Sequence, residues 1–124
     1  MTQYFYDAYA LIEITKGNKN YAPYASERLG VTTKIQLMKL YYWALKDLGL
    51  EKAEEYYDTF QPLTMDFDDN SIKEAAKKRL EWNKKGGKIS YSDALGYQLA
   101  TENGLKFLTG DKEFKELPGV EFVK

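Results

Sequence analysis

Short apolar segments that read as strands alternate with segments of helical periodicity from one end of the chain to the other, which predicts an α/β domain with a mostly parallel sheet. Two further observations support this. Ser or Thr stands in a capping position before several helical patterns, as in Thr33-x-x-Gln36, Ser71-x-x-Glu74 and Ser90-x-x-Asp93. Glycines at 17, 49, 86, 87 and 104 then follow the patterns as stops. At 124 residues the expectation is a single domain, 1–124.

Residues 3–6 are short, aromatic and directly followed by Asp7, so they read as a strand. Ala8, Leu11 and Ile12 recur at helical spacing as far as Gly17. Residues 18–23 read as a polar connection and residues 25–29 as a second short helix. The β-branched run 31–33 is a strand leading into a helix that ends at Leu48. Residues 51–60 follow as a helix and residues 62–65 as a strand. The next helix opens at Ser71 with Ile72, Ala75, Ala76 and Leu80 on one stripe, and residues 88–89 are a short strand. A helix carrying Ala94, Leu95, Leu99 and Ala100 leads to a strand at 106–109, a short helix after Asp111, and a last strand at 120–123.

Composition narrows the chemistry. The chain has no cysteine and no histidine, which removes disulfides, zinc fingers, thiol nucleophiles and imidazole bases. Carboxylate, hydroxyl and amine groups remain. Eighteen Lys+Arg against nineteen Asp+Glu give a net charge of -1, so any basic surface is local. One such surface is the segment 73–88, which holds seven basic residues and two acids. It is either a solvated helix face or a stripe that contacts phosphates, Lys77 and Lys84 among it. The longest apolar runs, 8–12 and 40–45, fall far short of the roughly 18 residues a membrane span needs. The opening Met-Thr-Gln-Tyr lacks the basic and apolar regions of a signal peptide, and a cytoplasmic protein is the expectation.

In a parallel sheet the functional crevice lies outside the carboxyl ends of the strands. Three aspartates, Asp7, Asp93 and Asp111, fall just after strands or in the first turn of the helix that follows. Each alone reads as a helix cap. Together on one rim they would repel one another, a repulsion that a hard divalent cation such as Mg²⁺ or Mn²⁺ relieves. Thr109 and Ser92 stand close by in sequence as hydroxyls that orient a ligand or satisfy their own turns.

At these residues the chain resembles the PIN-domain nucleases, including the VapC-type toxins of toxin–antitoxin pairs. The resemblance rests on Tyr4-Phe5-Tyr6-Asp7-Ala8-Tyr9-Ala10-Leu11-Ile12, on Ile89-Ser90-Tyr91-Ser92-Asp93-Ala94-Leu95 and on Phe107-Leu108-Thr109-Gly110-Asp111-Lys112-Glu113-Phe114, and it spans essentially the whole chain. It implies a three-layer αβα sandwich around the sheet. It further implies that Asp7, Asp93 and Asp111 are catalytic, hold Mg²⁺ or Mn²⁺ and hydrolyse RNA phosphodiester bonds, with an antitoxin protein as partner. Lys39 and Thr109, with Lys77 and Lys84 of the basic segment, are the candidate substrate contacts. One position departs from the pattern. Where such proteins usually carry a glutamate in the helix after the second strand, this chain has Lys39, within Leu37-Met38-Lys39-Leu40-Tyr41-Tyr42. Two functions stay open in consequence: a metal-dependent ribonuclease, and a catalytically weakened PIN module that binds RNA or a protein without cutting. A receiver-like phosphotransfer domain is disfavoured, since a receiver phosphorylates a mid-chain aspartate at the end of its third strand and the nearest candidate, Asp66, lacks that context.

Tyr41, Tyr42 and Trp43 are consecutive on a helix and fan across about 200° of it at roughly 100° per residue, wider than one core face. At least one faces outward. With Tyr56 and Tyr57 on the next helix, they suggest a homodimer interface on a helical hairpin away from the acidic crevice.

Overall fold

The computed structural model describes residues 3–25 and 30–124. Four strands, β1 (Tyr4–Tyr6), β2 (Gly30–Val31), β3 (Lys106–Thr109) and β4 (Val120–Phe122), form one sheet in the order β2-β1-β3-β4, every neighbouring pair parallel. Five α-helices are α1 (Ala8–Thr15), α2 (Lys34–Asp47), α3 (Leu50–Phe60), α4 (Asp69–Lys84) and α5 (Tyr91–Glu102). Parallel strands need crossovers: α1 lies between β1 and β2, α2 to α5 between β2 and β3, and the 3₁₀ segment Lys112–Phe114 between β3 and β4.

Strand alternation divides the core in two. Phe5 and Phe107 point to one side of the sheet, where they pack with α4, α5 and Phe114. Tyr6 and Leu108, one residue further along each strand, point to the other and pack with α1, α2 and Phe60 of α3. The result is the αβα sandwich, with helices covering both faces of a parallel sheet. Rings from β3, α4, α5 and the turn after β3 pack together on the first side, Phe107 and Phe114 tilted at 51° with centroids 4.8 Å apart and Trp82 and Tyr97 edge to face at 5.3 Å.

Several local expectations differ from what forms. Residues 18–23, expected as a polar connection, hold the 3₁₀ segment Lys19–Tyr24, capped by Asn18 accepting from the Asn20 N–H at 2.9 Å. Its Tyr21 is fully buried and donates through its hydroxyl to the Val123 carbonyl at 2.6 Å. The helix expected at 25–29 lies outside the described residues apart from Ala25, which closes the 3₁₀ segment. Residues 62–65 form no strand. Pro62 lacks a donor, the 3₁₀ segment Gln61–Leu63 takes the first half of the stretch, and a single bridge between Thr32 and Thr64 remains. The strand expected at 88–89 is also absent, because Ile89 has its N–H and carbonyl taken by the Asn83 side chain, with Arg79 Nε donating to the same carbonyl at 2.9 Å.

Helix α4 begins earlier than its Ser71-x-x-Glu74 signal suggests. Asp68 is the N-cap and accepts from the Ser71 N–H at 2.9 Å. The expected stripe also rotates, with Ile72 and Leu80 exposed while Ser71, Ala75 and Trp82 face inward. Lys78 and Arg79 complete that inner stripe by laying their charged groups over the rings of Tyr97 and Tyr91. Between α2 and α3, Gly49 turns the chain with φ 101°, a left-handed conformation that only glycine adopts freely.

Helix α5 lies close to the sheet because residue 96 is glycine. A Cβ there would sit 2.8 Å from the Phe5 ring, 3.0 Å from the Phe107 ring and 3.1 Å from Gln36 Nε2. Gly96→Val is therefore expected to destabilise the fold by about 1–3 kcal/mol through overpacking, measured by thermal denaturation, whereas an unchanged or raised melting temperature would contradict this packing.

Candidate active-site crevice

The carboxyl ends of β1 and β3 open into a cavity of about 520 Å³ lined by Asp7, Ala8, Tyr9, Ile12, Met38, Lys39, Tyr42, Asp93 and Asp111. All three aspartates singled out in the sequence line it. Asp7 arrives at the end of β1, and Asp111 follows β3 after Thr109 and Gly110. Asp93 gets there without a preceding strand. Helix α5 leads into β3, so its first turn starts at the strands' carboxyl end and carries Asp93 to the same rim.

The aspartates differ in how their oxygens are used. Asp7 occupies the N-cap position of α1, yet its side chain makes no capping hydrogen bond. Its Oδ2 accepts from the fully buried Thr109 hydroxyl at 2.7 Å, and its Oδ1 is buried with no hydrogen-bond partner. Burial pushes the Asp7 carboxyl up to about 7, aided by the Asp93 charge. The Thr109 hydrogen bond, the Lys39 ammonium and the nearby Ala8 N–H pull the other way. Asp93 stands third from the Ser90 N-cap of α5, which accepts from the Asp93 N–H at 3.2 Å, and its Oδ1 meets Lys39 Nζ at 3.3 Å. Asp111 does serve as a cap, accepting from the Glu113 N–H at 3.0 Å.

Thr109 is the positioning element between two of them. While donating to Asp7, its hydroxyl accepts from the Asp111 N–H at 3.1 Å. Being fully buried, it acts on the acids rather than on an open surface. Sequence reasoning missed Gln36. Read there as half of a capping box with Thr33, it is fully buried and sends Nε2 to the Ser92 carbonyl at 2.8 Å, tying the start of α5 to α2. The available signal was an amide set between Ile35 and Leu37 on an inward face.

Tyr42 corrects the expected layout of the helical hairpin. It is 68% exposed, as the aromatic fan requires, but it lines the crevice with Met38 and Lys39 instead of facing away from it. Neither Lys77 nor Lys84 lines the cavity, and Lys77 pairs with Glu74 on the outer side of α4 at 2.9 Å. With Lys78 and Arg79 turned inward onto aromatic rings, the outward basic stripe is sparser than the sequence count implies.

The donor set suits a hard divalent cation in kind, since the aspartates offer only oxygen and one buried oxygen of Asp7 lacks a partner. It is not drawn together around one point. Among the described residues, no three Asp, Glu, His or Cys side chains approach closely enough to hold one ion between them.

The raised Asp7 has a pH consequence. Between the unfolded value near 4 and the folded value of about 7, the folded chain keeps a proton that the unfolded chain releases, so stability falls as pH rises through that window. In metal-free buffer Asp7→Asn should gain on the order of 2–4 kcal/mol over the unaltered chain at about pH 8 and little at about pH 4. Melting curves across that range check this, and two parallel pH profiles would contradict it.

No protein-family model and no curated protein matches the chain. Solved structures do. The chain aligns over 98% of its length with 97% of a chain in DNA-bound VapBC from Salmonella typhimurium, with a TM-score of 0.75 at 22% identity. VapBC2 from Rickettsia felis bound to a promoter DNA fragment gives 0.75 at 20% identity, with 99% and 100% covered. A toxin–antitoxin complex from Klebsiella pneumoniae gives 0.72 at 20% identity, with 96% of each chain covered. At such identities the likeness is one of fold, and the chain has the VapC-type PIN-domain fold.

Proposed function

We propose that this chain is a metal-dependent ribonuclease of the PIN/VapC type, the toxin of a toxin–antitoxin pair, hydrolysing RNA phosphodiester bonds in the cytoplasm with Mg²⁺ or Mn²⁺. The observation that carries this reading is the meeting of Asp7, Asp93 and Asp111, from three separate stretches of chain, in one crevice at the carboxyl edge of the sheet. An antitoxin is the proposed protein partner because the Salmonella, Rickettsia and Klebsiella neighbours are complexes of that kind. A second copy is a further proposed partner, with Leu45, Leu48 and Leu50 of the α2–α3 hairpin as exposed apolar contacts.

In this reading Asp7, Asp93 and Asp111 would hold the cation. When bound, a divalent cation supplies an activated water and offsets the charge that builds on the phosphate. Thr109 fixes the orientation of Asp7 and holds the turn that carries Asp111. Met38 and Tyr42 give the crevice an apolar wall against which a nucleobase can stack beside the acids. Lys84, Lys85 and Lys88, at the end of α4 and in the loop after it, supply positive charge for the RNA backbone. No helix among the described residues is long and apolar enough to cross a membrane.

A second reading, a PIN module that binds RNA without cutting it, is favoured by the ion pair between Lys39 and Asp93, which occupies one of the acids. A cleavage assay on single-stranded and structured RNA with either metal separates the two. Metal-dependent cleavage is expected, reduced by about a hundredfold or more in Asp93→Asn. RNA binding with no cleavage in either metal would move the protein to the second reading.

A further inference from the structure

Among the described residues, Lys39 is the one cation that lines the crevice. It lies one helical turn beyond Gln36 on α2, and both side chains engage the first turn of α5. Gln36 holds the Ser92 carbonyl at 2.8 Å, and Lys39 Nζ holds the next residue's carboxylate, Asp93 Oδ1, at 3.3 Å. The two ends of this pair are unequally placed. The Asp93 side chain is 10% exposed and fixed on α5, whereas the Lys39 side chain is 41% exposed and rides on a flexible four-carbon stem. Asp7, on the same wall, keeps one buried oxygen without a partner.

These placements describe a latch. We propose that Lys39 is the resident cation of the crevice: its tethered ammonium neutralises Asp93 in the metal-free protein and must swing out before a divalent cation is shared between Asp7 and Asp93. The inference rests on the cation-binding reading given above and adds its regulation. The Lys39 ammonium gives the Asp93 carboxylate a counter-ion in the crevice that Asp93 shares with the buried Asp7 carboxyl. An ammonium offers one charge and only donors, so it can balance a carboxylate but cannot bridge two of them as a divalent ion does.

The test is calorimetry with MnCl₂ alone on the unaltered chain, Lys39→Met and Lys39→Arg, with Lys39→Gln as a second charge-removing variant should Lys39→Met fail to fold. Charge removal is expected to tighten Mn²⁺ binding by about tenfold or more, while Lys39→Arg, which keeps the charge, stays within a few-fold of the unaltered chain. Equal Mn²⁺ affinity in the unaltered chain and the charge-removed variant would overturn the latch. RNA cleavage by the same proteins distinguishes this failure from failure of the ribonuclease reading. Tighter Mn²⁺ binding with no cleavage by any variant keeps the latch and removes the ribonuclease. Cleavage by the unaltered chain with Mn²⁺ affinity indifferent to residue 39 does the reverse.

Discussion

The crevice is organised around one costly group, the Asp7 carboxyl, which is buried at the end of β1 with one oxygen bonded and the other bare. Burying a carboxylate without a full set of partners is unfavourable, so a fold that keeps one there must restrain it from several sides. The restraints come from elements remote in sequence. The Thr109 hydroxyl reaches Asp7 across 102 positions, and β1 and β3 are neighbours that pair Tyr6 with Leu108, which sets that hydroxyl beside the acid. Thr32, at the end of β2, donates to the Tyr6 carbonyl at 2.9 Å and fixes the other flank of the same strand end. Asp93 and Lys39 are brought in by α5 and α2, which Gln36 clasps together. Disturbing any of these connections disturbs the environment of the same carboxyl.

Much of this was legible in the residues. Asp7, Asp93 and Asp111 stand where a parallel α/β sheet places its site, and their common cavity follows from topology that the alternating pattern already carried. Lys39 was legible too, through the resemblance, as a lysine standing where a glutamate is usual, and it lines the crevice. Other features were hidden because a single residue's bonding partner decides them. Residues 88–89 have the composition of a short strand, yet Asn83 captures the Ile89 backbone. The inner face of α4 was obscured because Lys78 and Arg79 spend their charge on aromatic rings, so a polar pattern marks a packed stripe. Nor does helical spacing distinguish Tyr42 as an interface residue from Tyr42 as a crevice wall, since both require only that it face outward.

The three aspartates also show why position alone does not define a ligand. Asp111 does what a turn aspartate ordinarily does and caps the 3₁₀ segment Lys112–Phe114. Asp7, at an N-cap position with no capping bond, does not. The unspent oxygen sits on the residue whose burial is greatest, and the neighbouring acid has already found an ammonium. That division of labour links fold to proposed function, with one acid poised, one latched and one holding the turn.

The chemistry of the crevice depends most directly on the state of the Asp7 carboxyl in the metal-free protein. Carbon-13 NMR of the aspartate side-chain carboxyls, followed through a pH titration in the presence of a chelator, reads it without reference to activity. The expected result is one carboxyl titrating near neutrality, at about 7, whose signal is missing from Asp7→Asn. If instead Asp7 titrates near 4, like a carboxyl in open water, the crevice does not hold a buried, under-partnered acid and the account fails.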